Sequence, residues 1–86
     1  MTKSIFHPSY DEFRGSLSAA RKKAGLSQLE LAEKLGKPQS FVSKYERGER
    51  RLDVIEFFQV AEALRIDPFE FLKRIHGNIK QRRNRG

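Results

Sequence analysis

One spacing recurs along this chain: a residue that favours helix N-caps is followed three positions later by glutamate. In such a capping box, the cap oxygen accepts a hydrogen bond from a free backbone N–H, and the glutamate reaches back to the cap's own N–H. The matches fall at helix-sized intervals, so together they predict successive helix starts. They are Ser9 with Glu12, Ser27 with Glu30, Asp53 with Glu56, and Asp67 with Glu70.

Glycine and proline mark the ends and starts of the same helices. A left-handed glycine commonly closes a helix, and glycines follow the periodic stretches here. Pro38 and Pro68 lie just inside two predicted starts, where a missing N–H is harmless. Because no useful stretch alternates apolar and polar residues, we expect no strand. The pattern predicts an all-α, compact five-helix domain, with helices at about residues 9–24, 27–35, 38–47, 53–64 and 67–76 and closing glycines at Gly25, Gly36, Gly48 and Gly77.

The chain length limits how this helical unit can be organised. Its 86 residues leave room for one independent core. We expect an N-terminal extension over residues 1–8, the helical domain over residues 9–76, and a tail over residues 77–86. Because that last segment is polar and basic, we predict that it is disordered.

Apolar residues repeat at helical spacing and predict which face of each helix points into the core. For these positions packing is a better explanation than any ligand site. The predicted core consists of Phe13, Leu17, Ala20, Leu26, Leu31, Ala32, Leu35, Val42, Tyr45, Val54, Phe57, Val60, Ala61, Leu64, Ile66, Phe69 and Leu72.

A few apolar residues are left over once that core is assigned. If they are exposed, they form an apolar patch of the kind that marks an interface, which predicts a homodimer. The alternative is that Ile5, Phe6 and Tyr10 fold over them within one chain. The candidate interface residues are Ile55, Phe58, Phe71 and Ile75.

The charge is strongly basic and unevenly distributed. The net charge is +7, from 18 Lys and Arg against 11 Asp and Glu. One excess lies at the C-terminal end, and another between residues 34 and 51 faces only Glu46 and Glu49. Such local excess suits a polyanion, although a solvated surface has the same composition, so placement must decide. The basic residues are Lys34, Lys37, Lys44, Arg47, Arg50 and Arg51 in the middle, and Lys80, Arg82, Arg83 and Arg85 at the end.

Several classes of function find no support in the sequence. The chain has no cysteine, which excludes disulfides, thiolate nucleophiles and cysteine-bound zinc. His7 and His76 lie near opposite ends, and no residues show metal-ligand or nucleophile–base spacing. We therefore expect no enzyme activity, no cofactor and no metal. No apolar run approaches the ~20 residues that span a bilayer, so we expect a soluble, cytoplasmic protein without a membrane partner.

Helices 2 and 3 carry the pattern that indicates a function. Both are short, and only Gly36 and Lys37, or one residue more, separate them, which predicts a helix-turn-helix. Val42 and Tyr45 of helix 3 turn inward, so its outward face is polar and lacks a carboxylate. Glutamine can bond adenine, lysine can bond guanine, and serine can bond either, so this face suits a DNA groove better than plain solvation. The candidate base-contacting residues are Gln39, Ser40, Ser43 and Lys44.

Three segments extend this pattern into a family resemblance. They are Ala24–Ala32 (AGLSQLELA), Leu35-Gly36, and Gln39–Gly48 (QSFVSKYERG). With these segments in register, the chain resembles the lambda-repressor-like, Cro/repressor (Xre) helix-turn-helix family from about residue 13 to about residue 72. The resemblance implies sequence-specific binding of double-stranded DNA by a bacterial or phage transcriptional regulator, most simply a repressor that binds a palindromic operator as a dimer.

The resemblance also implies roles for individual residues. An arginine of helix 1, Arg21, and the glutamate that ends helix 3, Glu46, match a structural ion pair of the family. Pro38 stands where relatives often have serine or threonine, so one contact at the edge of the site is missing. Contacts to DNA phosphates are implied for Gln28, Lys37, Arg47, Arg50 and Arg51.

Two other functions stay open at this point. The same fold can serve as an antitoxin or adaptor, in which helix 3 meets protein and the basic residues matter less. RNA is a further possibility, because the basic C-terminal segment suits any polyanion.

Overall fold

The computed structural model describes residues 7–85, with side chains described through residue 81. This part of the chain forms helices without any strand, so the predicted all-α, five-helix fold is confirmed. Ile5 and Phe6, the possible cover for the surplus apolar residues, lie outside the described residues. The helices are α1 (Pro8–Lys23), α2 (Gln28–Leu35), α3 (Gln39–Glu46), α4 (Val54–Leu64) and α5 (Pro68–Arg85).

Two of the predicted capping boxes are complete. Ser27 Oγ accepts from the Glu30 N–H at 3.0 Å, and Glu30 Oε1 accepts from the Ser27 N–H at 2.8 Å. Asp53 Oδ1 and Glu56 Oε1 make the same exchange at 2.7 and 3.0 Å. Each cap satisfies backbone donors that a helix leaves free at its start. These local signals fix where α2 and α4 begin.

The first predicted box is wrong, and the last is only partly as expected. α1 begins at Pro8, and His7 caps it by accepting the Ser9 N–H on Nδ1 at 3.0 Å. Proline fits the first helical turn, so the helix starts before Ser9 and the imidazole replaces the serine hydroxyl. At α5, Asp67 Oδ1 accepts from the backbone N–H groups of Phe69 and Glu70 at 2.9 and 3.3 Å.

The helix ends follow the glycine prediction except at α5, and α4, for which no closing glycine was predicted, ends on an arginine. Gly25, Gly36 and Gly48 are left-handed, with φ of 77°, 68° and 81°, whereas Arg65 takes that conformation after α4 with φ of 59°. Gly77 does not end a helix, because α5 continues to Arg85.

The continuation of α5 corrects the prediction of a disordered tail over residues 77–86, since residues 77–85 are helical. Contacts with other parts of the chain explain the difference. Ile79 packs against the core, and Asn78 Nδ2 donates to Glu12 Oε2 of α1 at 3.1 Å. These contacts hold the helix on the body beyond the glycine. The division of the chain at residues 8 and 76 stays a prediction.

The core lies where α1, α4 and α5 meet the pair α2 and α3. Leu17, Leu31, Ala32, Val42 and Val60 are fully buried. Next to them, three aromatic rings from different helices have centroids between 5.4 and 6.0 Å apart. They are Phe13, Phe57 and Phe71.

The buried face of α5 differs from the predicted one. Phe71 and Ile75 are only 2% and 4% exposed, so these two predicted interface residues belong to the core. The predicted core residues Val54, Phe69 and Leu72 are instead exposed. α5 is rotated about its axis relative to the prediction, because Phe71 packs in the aromatic cluster. The residues four and eight positions later lie on the same helix face and therefore also point into the core.

Candidate nucleic-acid interface

The turn between α2 and α3 sets the angle of the third helix. Gly36 ends α2 in the left-handed conformation, and the Lys37 N–H donates to the Ala32 carbonyl at 3.0 Å. Pro38 is the N-cap of α3 and offers no side-chain hydrogen bond, as expected for a residue without a hydroxyl. Behind this turn, the fully buried Ala32 lets the two helices pack closely.

The outward face of α3 is available to a ligand. Gln39, Ser40 and Lys44 are exposed, while Ser43 is half-buried and donates from Oγ to the Ser40 carbonyl at 3.3 Å. The opposite face is anchored in the core, where Tyr45 is fully buried. The helix therefore presents short polar and cationic side chains from a rigid base.

The C-terminal end of α3 is held by Glu46. Arg21 of α1 donates to its carboxylate from Nε at 2.7 Å and from Nη2 at 3.1 Å. Ser18 Oγ and Gln28 Nε2 donate to the same carboxylate at 3.3 and 3.0 Å. Burial alone would raise the pKa of Glu46, but these hydrogen bonds outweigh it and lower the pKa below its usual value. The side chains of Arg21 and Glu46 are only 10% and 7% exposed, so the pair is structural.

The structure gives Gln28 an internal contact that sequence reasoning did not foresee. Its half-buried side chain joins the Glu46 network through Nε2. One amide hydrogen is therefore already engaged within the protein. A contact from Gln28 to phosphate stays a prediction.

The arginines that follow α3 are held in two different ways. Arg47 donates to Glu49 from Nε and Nη2 at 2.9 and 3.0 Å, and both side chains are about half exposed. Arg50 donates to Glu56 from Nη1 and Nη2 at 2.9 and 2.7 Å and lies over the Phe41 ring, 4.8 Å from its centroid. The hydrogen bonds from Arg50, then that from the Asp53 backbone, hold the pKa of Glu56 down at about 2.

A basic cleft lies beside the start of α3. Lys37 Nζ is 5.1 Å from the Phe41 centroid, on the ring that also carries Arg50. Cations that share an aromatic ring are drawn to its electron-rich face. The cleft is lined by Gly36, Lys37, Pro38, Ser40, Phe41, Lys44 and Arg50.

Two residues of α1 support this region, and the sequence predicts this role for neither. Tyr10 Oη accepts from the Leu52 N–H at 3.1 Å and donates to the Arg50 carbonyl at 3.4 Å, and Arg51 lies 4.4 Å from the Tyr10 ring centroid. Arg14 Nη1 donates to the Glu46 carbonyl, which lies at the end of α3. No local motif announces these contacts, because they join residues more than 30 positions apart.

A second surface is apolar, and we name it the α4–α5 patch. Exposed side chains of the two helices meet where the Phe58 and Phe69 centroids lie 6.0 Å apart. Ile55 and Phe58 of the predicted interface belong to it and are 63% and 36% exposed. The patch consists of Val54, Ile55, Phe58, Phe69 and Leu72.

Neither a metal site nor a membrane span is found in the described part of the chain. No group of three or more His, Asp or Glu side chains there is arranged to hold a metal ion. None of the described helices is long and apolar enough to cross a membrane.

A family model described as helix-turn-helix matches residues 17–71, which include α2, α3 and α4. No curated protein sequence matches the chain.

Solved structures of regulators are similar to the chain. An XRE-family like protein from Pseudomonas syringae pv. tomato str. DC3000 is 46% identical, with a TM-score of 0.78 over 80% of this chain and 84% of that one. The restriction-modification controller protein C.AhdI from Aeromonas hydrophila is 34% identical, with a TM-score of 0.70 over 76% of this chain and 98% of that one. The clp gene regulator ClgR from Corynebacterium glutamicum, at 20% identity over 92% of this chain and 84% of that one, shares the fold with a TM-score of 0.76. None of the three is described as an enzyme.

Proposed function

The chain belongs to the XRE family of helix-turn-helix DNA-binding regulators, and on that premise we propose that it binds a palindromic operator in double-stranded DNA as a homodimer. In this proposal α3 lies in the major groove, and the bound dimer represses transcription by covering the site. Two-fold operators match two-fold proteins, with half-sites about 34 Å apart.

The observation that carries the proposal is the exposed polar face of α3. Gln39, Ser40 and Lys44 project from a helix whose other side is fixed in the core. We assign Gln39 and Lys44 to contacts in which the side chain makes two hydrogen bonds to one base edge. The two serines, Ser40 and Ser43, would make contacts that discriminate less between bases. The anchoring of α3 through Glu46 supports specific contacts, since base reading needs a fixed helix angle.

Cations around α3 supply the proposed phosphate contacts. Lys37 and Arg50 line the cleft at its start, and Arg47 and Arg51 are exposed after its end. Phosphate contacts fix position and orientation on the duplex, whereas base contacts specify sequence. Gln28 is the fifth proposed phosphate contact and would use the amide hydrogen that Glu46 leaves free.

The α4–α5 patch supports the proposed homodimer. Five exposed apolar side chains, two of them aromatic, are more than isolated surface residues. We propose that this patch meets its symmetry mate, without Phe71 and Ile75, which are buried in the core. A second copy offers the same apolar surface, as a two-fold interface requires.

Selection of bound sites from a random pool of duplex DNA tests the proposal. We expect one enriched sequence with two-fold symmetry, and binding whose log K falls with log salt by about 0.9 per phosphate neutralised. Lys44→Ala should relax preference at one position and weaken its site by about 1–3 kcal/mol. Arg51→Ala, the matched phosphate variant, should weaken all sequences alike. Recovery of no preferred sequence would contradict the proposal.

A further inference from the structure

The guanidinium of Arg50 is held by three hydrogen bonds that leave one edge open. Nη1 and Nη2 donate to the two carboxylate oxygens of Glu56, and the second Nη1 hydrogen serves the Arg51 carbonyl at 2.9 Å. An arginine has five N–H donors. The Nε–H and the remaining Nη2–H therefore have no partner among the described residues. These two hydrogens lie along one edge of the planar group and form the fork that suits a phosphate.

Arg47 provides an internal contrast a short distance along the chain. Its Nε and Nη2 groups, the same edge that Arg50 leaves open, are both engaged by Glu49. Arg47 must give up Glu49 before it can grip a phosphate with that edge. Arg50 can do so while keeping its own carboxylate partner.

The carboxylate that holds Arg50 is itself fixed. Glu56 Oε1 also accepts the Asp53 N–H at 3.0 Å as part of the α4 capping box, and the Glu56 side chain is only 17% exposed. The pKa of Glu56, about 2, keeps it ionised at any pH at which binding would be measured. The Arg50 guanidinium also lies over the ring of Phe41, the same ring over which Lys37 Nζ lies. Glu56 thus holds the end of the Arg50 guanidinium, and the Phe41 ring supports one of its faces, at the edge of the basic cleft.

We infer that Glu56 is a positioning residue for DNA binding: it holds Arg50 over Phe41 with the Nε–Nη2 edge ready for a backbone phosphate in the cleft. The inference rests on the proposed function, because the phosphate is that of the bound duplex. Prior ordering of a long side chain removes the conformational-entropy cost that an unrestrained arginine incurs when it binds. Glu56 therefore strengthens binding to a polyanion although it carries the polyanion's own sign of charge.

The negative charge of Glu56 makes it possible to distinguish positioning from a simple effect of charge. On charge alone, removing an acid beside the DNA surface strengthens binding. We expect the opposite for Glu56→Gln: about three- to tenfold weaker binding to every duplex, the factor for ordering one side chain. The slope of log K against log salt should stay the same, because Arg50 still neutralises the phosphate once it is ordered.

Two matched variants remove an acid without disturbing Arg50. Glu49→Gln frees the edge of Arg47, so binding should tighten. Asp53→Asn removes a charge at the same helix start and keeps a residue that caps well, so binding should be unchanged or tighter. All variants are measured in the full chain, below the melting temperature found by circular dichroism. Binding by Glu56→Gln as tight as that of the parent would overturn the inference.

A double-mutant cycle separates positioning from a general effect on folding. Arg50→Lys keeps the charge but lacks the two-edged geometry, so Glu56→Gln should weaken binding no further in that background. An equal loss in both backgrounds would show that Glu56 acts through the fold, which also overturns the inference. Failure of the unmodified chain to bind any duplex would instead contradict the proposed function.

Discussion

At the scale of single residues, Glu46 joins three parts of the chain. It accepts from Arg21 and Ser18 of α1 and from Gln28 of α2, while it ends the helix that carries the proposed base contacts. Removing one partner of a buried pair leaves the other without compensation. The residue is thus a structural element of the site and not an acid that faces phosphate.

Glu46→Ala tests this assignment. We expect a loss of about 3–5 kcal/mol in the free energy of unfolding, because Arg21 stays buried without its partner. Thermal and urea denaturation measure the loss. Glu49→Ala is the control, since the exposed Arg47–Glu49 pair should change stability by less than about 1 kcal/mol. Similar melting of both variants would show that burial of the Glu46 pair is unimportant.

The two tyrosines offer a second comparison between residues. The Tyr45 hydroxyl is buried and has no hydrogen-bond partner among the described residues, whereas that of Tyr10 is bonded to the Arg50–Leu52 segment. Burial raises the pKa of Tyr45 above its usual value, so its hydroxyl stays protonated.

Replacing each tyrosine by phenylalanine should have different results. Tyr45→Phe removes a buried polar atom without losing a hydrogen bond, so we expect equal or higher stability. Tyr10→Phe removes two hydrogen bonds and should lower the free energy of unfolding by about 1 kcal/mol. Chemical denaturation of the pair gives the comparison. A marked loss for Tyr45→Phe would mean that its hydroxyl has a partner after all.

At the scale of elements, helix starts could be predicted because a capping box is local. Ser27 with Glu30 and Asp53 with Glu56 need only four consecutive residues each. The length and buried face of α5 could not, because Asn78 meets Glu12 across 66 positions of sequence. The outward face of α3 was readable from its periodicity. The Arg50–Glu56 contact was not, since no short-range pattern distinguishes it from the exposed Arg47–Glu49 pair.

A substitution at Gly77 tests the continuation of α5. A Cβ at this position meets nothing within 4 Å, and its backbone is not left-handed. Gly77→Ala should therefore stabilise the helix by about 0.4–1 kcal/mol. Gly48→Ala should instead lower the stability, because φ is 81° there and the new Cβ would lie 2.9 Å from Arg14 Nε. A destabilised Gly77→Ala variant would show that residue 77 closes the helix in solution.

At the scale of the whole molecule, the basic cleft and the α4–α5 patch give the chain two chemically different surfaces. The first carries Lys37, Lys44 and Arg50, and the second carries no charged residue among its five. Charge suits the first to a polyanion, and apolar exposure suits the second to another copy of the chain.

Ile55→Glu tests the second surface without disturbing the core, because Ile55 is 63% exposed. A charge on each side of a two-fold contact should shift the chain towards monomer, as measured by sedimentation without DNA. Leu29→Glu, at an exposed site on α2, should leave the mass unchanged. Equal masses for the parent and Ile55→Glu would place any self-association elsewhere.

Ile55 and Glu56 are neighbours in the first turn of α4, so one turn of helix serves both surfaces. In the proposed dimer, the other subunit would contact Ile55. This contact would also order the helical turn from which Glu56 holds Arg50. Linkage is reciprocal. If dimer assembly increases the affinity for the operator, operator binding must favour dimer assembly by the same factor. Occupancy of the operator would then rise more steeply than in proportion to the amount of protein, and a small change in abundance would act as a threshold.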